Sequence, residues 1–487
     1  MSTEEKSFIN KDLEKRGKAS VASPFAAYWN FIEKFKSHHA VSQGDARAYI
    51  SALTDVKLVE MGVNDIQGVM QALNTVLESV KNHTITYEDC TSVFDVWRSL
   101  DRSHLKKVLV TMPMHCISPH PNKSKDFSAV SLFSGSFGLD LGFESAGFEI
   151  KTALDNDLAS ELIIKKNREN IQFIREDVAK VATSAILKEA GLGVGELDVL
   201  TGGPPCQPFS PGGKRLALAD PRASPLKEYI RVIHEAQPKV FVMEEVPGLL
   251  NARLKHVKFN ERHKVLSPEE ELGSVWKIVL AELEKTNYRI KWAVLNAANF
   301  GAPQLRSRVI IMGVRPDLGV LPILPLETHR KPNLSTLAPL EEWVCLLKAL
   351  AGISPGNGEP LPLKYKEYMQ YVPPGGNWRQ IPKERLAGAM NGALAAEGGK
   401  MGFYRRLTLL EPSPTLVTSP CMKGSMLIHP IEDRPLTINE YKRIQGFPQD
   451  WETPVSLMAQ YRKIGEAVPP FLSYPIAMAV RKLLEKV

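Results

Sequence analysis

Cys206 has the strongest claim on chemistry in this chain. It follows two glycines and two prolines in DVLTGGPPCQPFSPGGKR, residues 198–215, where an apolar strand runs into a turn stiffened by proline. A lone cysteine is usually an inert buried hydrophobe, but this run suits neither a strand nor a helix interior, so packing explains it poorly. A thiol held on such a turn is a candidate nucleophile. Other reactive types stand at comparable places. Glu244 follows the apolar run VFVM and precedes VPGLL, which puts a carboxylate at a strand end. Gln304, Arg306 and Arg308 alternate in QLRSR, a run that taken alone reads as a solvated charge patch. Asp155 in ALDND ends another strand, from which a carboxylate can accept bonds from both ribose hydroxyls of a nucleoside-containing cofactor. Asp177 in REDV is placed to receive an adenine amino group. Upstream, SLFSGSFGLDLGFESAGF at 131–148 reads as strand, turn and helix, with Gly135 and Gly138 letting the backbone approach a ligand.

These residues need a scaffold, and the pattern supplies one. Short apolar runs at 129–133, 150–154, 198–201, 240–243, 290–295 and 309–314 alternate with helical segments, which predicts an open, mostly parallel α/β sheet. From about 316 to 404 the alternation fails among many Pro and Gly residues, as in YVPPGGNW at 371–378, and a separate loop-rich module is expected at 317–404. The α/β character returns at 405–487 and ends in an apolar helical tail at 471–484. Residues 1–110 read as a small helical domain: Ser23 and Pro24 signal a helix start before a stripe of Phe25, Tyr28, Trp29, Ile32 and Phe35. A second stripe runs from Asn64 through Ile66, Val69, Met70 and Leu73. A proline-bearing linker at 111–127 separates this region from the first catalytic stretch, 128–316.

Taken in order, the motifs resemble the DNA cytosine-5 methyltransferase family of bacterial restriction-modification type. Pro205, Cys206 and Gln207 resemble its nucleophile turn, LFSGSFG its cofactor glycine motif, and PKVFVMEEVPGLL (238–250) the strand bearing its catalytic Glu. FGAPQLRSRVIIMGVR (300–315) resembles its Gln-x-Arg-x-Arg segment. RPLTINEYKRIQGFP (434–448) and YRKIGEAVPPFL (461–472) resemble its closing motifs, the last of which folds back onto the cofactor site. The resemblance covers about 128–316 and 404–487, and the module between occupies the place of the family's target-recognition domain.

That resemblance implies a Rossmann-like, S-adenosylmethionine-dependent methyltransferase sheet and methyl transfer to carbon 5 of a cytosine flipped out of double-stranded DNA. Cys206 would add to carbon 6, making carbon 5 electron-rich. Glu244 would act at ring nitrogen 3 and the amino group, and Arg308 would hold the carbonyl oxygen, with Arg306 and Gln304 bracing the loop or backbone. Phe133, Gly135, Gly138, Leu139, Asp155, Asp177, Glu466 and Val468 fall on the cofactor motifs. Gln207, Ser210, Lys214 and Arg215 lie in a segment, 207–222, expected to close over the base and meet phosphates. Three positions depart from the family's usual residues: Phe137 replaces a second glycine of the cofactor turn, Glu245 replaces the asparagine after the catalytic glutamate, and Glu466 replaces the asparagine of the closing motif.

Composition narrows the class without deciding it. A chain of 487 residues with 44% hydrophobic and 24% charged residues is ordinary for a globular protein, and it has no apolar run long enough to span a bilayer. The N-terminus lacks the features of a secretory signal, and five scattered cysteines suggest neither disulfides nor a zinc finger, so a cytoplasmic, nucleoid-associated location is expected. His115, Cys116 and His120 lack a fourth ligand, and no metal is expected. The charge of +7 favours a polyanionic partner, and the basic run at 253–264 is either a DNA contact or a solvated insertion. The expected partners are double-stranded DNA and a cognate restriction or defence component. The alternatives are a transfer-RNA cytosine-5 methyltransferase of the same fold and an inactive DNA-binding scaffold; the separate module of about 90 residues argues for DNA. An amino-group methyltransferase would carry an Asp/Asn-Pro-Pro-aromatic motif where this chain has GGPPCQ.

Overall fold

A computed structural model of the chain describes residues 126–205, 224–255, 257, 267–331, 340–394, 400–409 and 411–487. The helical domain expected at 1–110 and nearly all of its linker lie outside the described residues.

The apolar runs form the strands of one seven-stranded sheet: β1 (Phe127–Leu132), β2 (Phe148–Leu154), β3 (Gln172–Ile174), β4 (Val199–Gly202), β5 (Val240–Glu245), β6 (Arg289–Asn296) and, after the two-residue β7 (Gln304–Leu305), β8 (Ser307–Val314). The order across the sheet is β3-β2-β1-β4-β5-β8-β6, parallel except that β8 runs antiparallel to both β5 and β6. Strand β3 was not among the predicted runs. Its three residues are too few to show a period, and Gln172 at the sheet edge is exposed.

Near-continuous apolar runs follow from burial on both faces. On β5, Val240 and Val242 enter one core while Phe241 and Met243 enter the other; on β8, Ile310 and Met312 oppose Val309 and Ile311 in the same way. Helices α3 (Thr183–Ala190), α4 (Ser224–Ala236) and α5 (Ser274–Glu284) cover the second face. The first face is covered by α1 (Gly138–Ser145) and α2 (Leu158–Asn167) together with the C-terminal helices α9 (Ile438–Gln445), α10 (Leu457–Glu466) and α11 (Pro470–Leu484). These last three come from beyond the loop-rich module. They return because α1 has no bulk where they dock: a Cβ at Gly138 would lie 2.4 Å from the Val468 carbonyl oxygen, and one at Gly142 would lie 2.1 Å from Ser473 Oγ.

The expected module at 317–404 divides in two. Its first part packs on the main core through Leu318, Val320, Leu324 and α6 (Leu346–Leu350). A separate core follows, built from Leu361, Tyr365, Met369, Val372, Ile381 and Tyr404 with Met426 and Ile428, and carries α7 (Leu363–Met369) and α8 (Lys383–Met390). Arg406 ties this smaller body together: its buried guanidinium donates to the carbonyls of Val372 (2.6 Å), Met369 (3.0 Å), Glu432 (3.0 Å) and His429 (3.2 Å) and pairs with Asp433.

Candidate active site

Open α/β sheets bind ligands beyond the carboxyl ends of their strands, where the strand order reverses. Here that point lies between β1 and β4, whose neighbours on either side are β2 and β5. The turn after β1 is tight. Phe133 and Gly135 have φ of 57° and 55°, and Phe137 has φ of 75° as the residue preceding α1. Gly135 N donates to Asp155 Oδ2 (2.9 Å), and Asp155 Oδ1 accepts from Asp157 N (2.8 Å), so the carboxylate at the end of β2 joins the two turns. Leu139 and Gly138 are buried in the first turn of α1.

Phe137, which stands where a glycine is usual in the resembling family, keeps the left-handed backbone that glycine would adopt. Its ring is fully buried and stacks on Trp451, with centroids 6.1 Å apart and planes 12° from parallel. The side chain therefore points into the core, and burial of a phenyl ring offsets the roughly 1 kcal/mol cost of a non-glycine residue in this region.

A second stitch joins β2's loop to the C-terminal helices. Asp157 caps α2 by accepting from Ala159 N (2.9 Å) and pairs with Arg462 (2.8 Å) and Lys463 (3.0 Å). Burial opposes ionisation of Asp157, but the Ala159 bond and the Lys463 and Arg462 charges outweigh it and lower its pKa. Lys463 also donates to Ser160 Oγ (2.6 Å), and its carbonyl accepts from Ser136 Oγ (2.8 Å) in the glycine turn. Asp157, Ser136 and Lys463 were not singled out from sequence. Asp157 carried one legible sign, an N-cap residue type just before a helix.

An open cleft of about 720 Å3 runs beyond β2 and β3, lined by Asn156, Asp157, Leu158, Arg175, Asp177 and Lys180 among others. Asp177 faces this cleft while its Oδ1 accepts from Ala179 N (3.0 Å). Glu466 ends α10 with its side chain accessible to solvent. Protein packed round its carboxyl group raises its pKa, Lys463 and Arg462 pull it back, and Asp157 and Asp155 add to the rise.

On the other side of the switch point, Gly202 and Gly203 carry the chain from β4 into the cysteine turn. A Cβ on Gly203 would lie 2.7 Å from Glu244 Oε2, so the turn passes directly against that carboxylate. Glu244 Oε1 and Arg308 Nε form an ion pair at 2.5 Å, with both side chains nearly buried. Glu245, the second of two adjacent acids, points to the opposite face and is 1% exposed, its Oε2 accepting from Val246 N (3.3 Å).

Arg306 and Gln304 do not reach this pocket. Arg306 is buried and donates to the carbonyls of Gly465 (2.8 Å), Glu466 (2.8 Å) and Leu416 (3.3 Å). Gln304 is fully buried, donating to Gln445 Oε1 (2.6 Å) and accepting from Leu416 N (2.8 Å). Both side chains hold the closing segment against the sheet. Gln445, which also donates to the Ala467 carbonyl, was not singled out from sequence. Val468 is buried with its carbonyl against Gly138. Cys206, Gln207, Ser210, Lys214 and Arg215, and most of the basic run at 253–264, lie outside the described residues, as does the His115, Cys116 and His120 group.

A type II methyltransferase of Psychrobacter sp., M.PspPI, is 36% identical over 369 residues, covering 74% of this chain and 80% of its own length. M.Sau96I of Staphylococcus aureus is 34% identical over 349 residues, covering 71% of this chain and 74% of its own. The fold is shared with a solved E. coli prophage protein described as a DNA modification methyltransferase, with a TM-score of 0.50, 22% identity, and coverage of 74% of this chain and all of that one. Residues 127–482 match the C-5 cytosine-specific DNA methylase profile, a span holding the glycine turn, the cysteine turn, the Glu244–Arg308 pair and the returning C-terminal helices, and the chain therefore belongs to that family.

Proposed function

We propose that Cys206 attacks carbon 6 of a cytosine flipped from duplex DNA and that carbon 5 is then methylated. The observation that carries this reading is the Glu244–Arg308 pair held against Gly203, three residues before the cysteine. Sulfur addition pushes the carbon 5–carbon 6 electron pair into the ring, toward nitrogen 3 and the carbonyl oxygen. Glu244 holds a proton at nitrogen 3 and accepts from the amino group; Arg308 donates to the carbonyl oxygen. Carbon 5 becomes nucleophilic and is methylated; its proton then passes to solvent water, the carbon 5–carbon 6 double bond re-forms, and the carbon–sulfur bond breaks with its electron pair returning to Cys206 as thiolate. Arg306 and Gln304 act as positioning residues that keep the closing segment in place.

The family implies S-adenosylmethionine, which when bound supplies an electrophilic methyl group. The residues fit it. The backbone at Phe133 and Gly135 opens toward the strand ends, Gly138 and Leu139 start the helix behind them, and Val468 closes against that turn. Asp155 retains acceptor capacity for ribose hydroxyls beside the bonds it already makes, and Asp177 faces the neighbouring cleft for the adenine amino group. Gln207, Ser210, Lys214 and Arg215 are assigned to the base and its flanking phosphates, and the second core at 361–404 to target recognition. The proposed setting, taken from relatives named type II methyltransferases, is DNA modification beside a cognate restriction component in a bacterial cytoplasm, with the protein carried on the nucleoid by its substrate. No helix among the described residues is long and apolar enough to cross a membrane.

Duplex DNA with 5-fluorocytosine replacing cytosine tests the mechanism, because fluorine cannot leave as a cation and the final elimination fails. A denaturation-resistant protein–DNA adduct is expected that requires S-adenosylmethionine and is absent in Cys206→Ala. An adduct that persists in Cys206→Ala, or full methylation by that variant, removes Cys206 from the reaction.

A further inference from the structure

Between the end of β1 and the start of α1, Phe133, Gly135 and Phe137 all have left-handed φ, at 57°, 55° and 75°. Glycine takes that region freely, but two of these three residues carry aromatic side chains, so the local chain does not favour this shape by itself. Tertiary anchors hold it. Phe133 packs on the core of the second sheet face and Phe137 is buried in the core of the first, which pins the turn on both sides of the sheet. The anchor at Phe137 reaches furthest along the chain. Its ring lies on Trp451, with planes 12° from parallel, and Trp451 is itself fixed: Arg168 sits over its ring at 5.1 Å, Phe447 packs on it with centroids 5.9 Å apart, and its carbonyl accepts from Lys442 Nζ (3.1 Å). The Phe137 N–H donates to the Ser134 carbonyl (2.8 Å), and its own carbonyl accepts from Leu141 N (2.9 Å), so one residue joins the turn, the first bond of α1 and the distant indole.

A glycine at 137 could adopt the same backbone but could also leave it at little cost. We propose that Phe137 is a positioning residue for the cofactor: stacked on Trp451, it holds the turn at 133–138 in its binding shape before the ligand arrives, so that binding does not have to order it. This rests on the S-adenosylmethionine reading above and goes beyond it, by giving the Phe137–Trp451 pair a part in cofactor affinity. Both rings are buried, at 0% and 2% exposure, so they act through the backbone of the turn rather than by touching a ligand.

Calorimetric titration of the purified full chain with S-adenosylmethionine tests this without any turnover, and thermal melting without ligand reads the packing separately. Phe137→Gly and Trp451→Leu should each weaken binding on the order of tenfold, whereas Trp451→Phe, which keeps an aromatic ring, should stay within about twofold of the unaltered protein. Because the two residues act as one unit, the double variant Phe137→Gly/Trp451→Leu should bind about as well as Phe137→Gly alone. Hydrogen exchange reads the turn directly. In the ligand-free protein the amides at 135 and 137, bonded to Asp155 and Ser134, should exchange on the order of tenfold faster in Phe137→Gly, and saturating S-adenosylmethionine should restore their protection. A role confined to filling the core lowers the melting temperature and leaves affinity unchanged; that result, or losses that add in the double variant, overturns the proposal. If Phe137→Gly does not fold, equal affinities of Trp451→Leu and Trp451→Phe overturn it. Failure of the unaltered protein to bind S-adenosylmethionine would instead overturn the cofactor reading beneath it.

Discussion

Asp140 lies in the first turn of α1, fully buried, where Thr201 Oγ1 reaches its Oδ1 at 3.3 Å and Oδ2 has no hydrogen-bond partner. Burial, with a smaller push from Glu144, raises its pKa to about 7 against the lowering bonds from Ser131 and Thr201. An acid whose folded pKa lies above its unfolded value binds its proton more tightly when folded. Its contribution is therefore fully present below 3.8 and is lost as pH rises through about 7. Asp140→Asn keeps an acceptor for Thr201 and removes the titration. The variant should be more stable than the unaltered protein at pH 8, and the gap should shrink by about 2 kcal/mol on going to pH 5, read from urea unfolding at the two values. A gap that does not change with pH would show that folding does not raise the pKa of Asp140.

At the scale of elements, the link that matters most is the step from β4 into the cysteine turn. Gly202 is packed against the Leu132 carbonyl and the Tyr229 ring, each 2.7 Å from where a Cβ would stand, so the strand end cannot shift to make room. Gly203 meets Glu244, which Arg308 holds from the far side. Gly203→Ala should displace either the turn or the glutamate and cut methyl transfer on the order of a hundredfold, with S-adenosylmethionine affinity and melting temperature close to the unaltered values. Full turnover in Gly203→Ala would mean that the turn and Glu244 are not in register during the reaction. The elements themselves were largely legible: β1, β2, β4, β5, β6 and β8 announce themselves as apolar runs, and Asp155 and Glu244 stand at the ends of two of them. Other features were not. β3 is too short to show a period, and the inward turn of the Phe137 ring depends on Trp451, more than 300 residues away in sequence. The internal roles of Arg306 and Gln304 depend on Gly465, Glu466 and Gln445, so an alternating charged run looks like surface until its distant partners are in place.

At the scale of the whole molecule, the described scaffold closes on itself. β1 begins at Phe127, Asp126 pairs with Arg481 of α11, and α11 packs on α1, so the first and last elements of the sheet domain seal its glycine turn. The family match spans 127–482, and the relatives align with about three quarters of this chain. Residues 1–110 therefore stand apart from every motif that the chemistry needs, behind a segment with the composition of a linker. A fragment beginning near Asn122 should fold and methylate duplex DNA with a rate within about threefold of the full chain, because the family match begins at residue 127 and the cores described above close without those residues. The measurement is incorporation of labelled methyl groups into duplex DNA by both proteins, with circular dichroism and thermal melting to establish that the fragment is folded. If a folded fragment binds S-adenosylmethionine but transfers no methyl group, the N-terminal region completes the active enzyme, and the expected division between an appended domain and a self-sufficient catalytic scaffold is wrong.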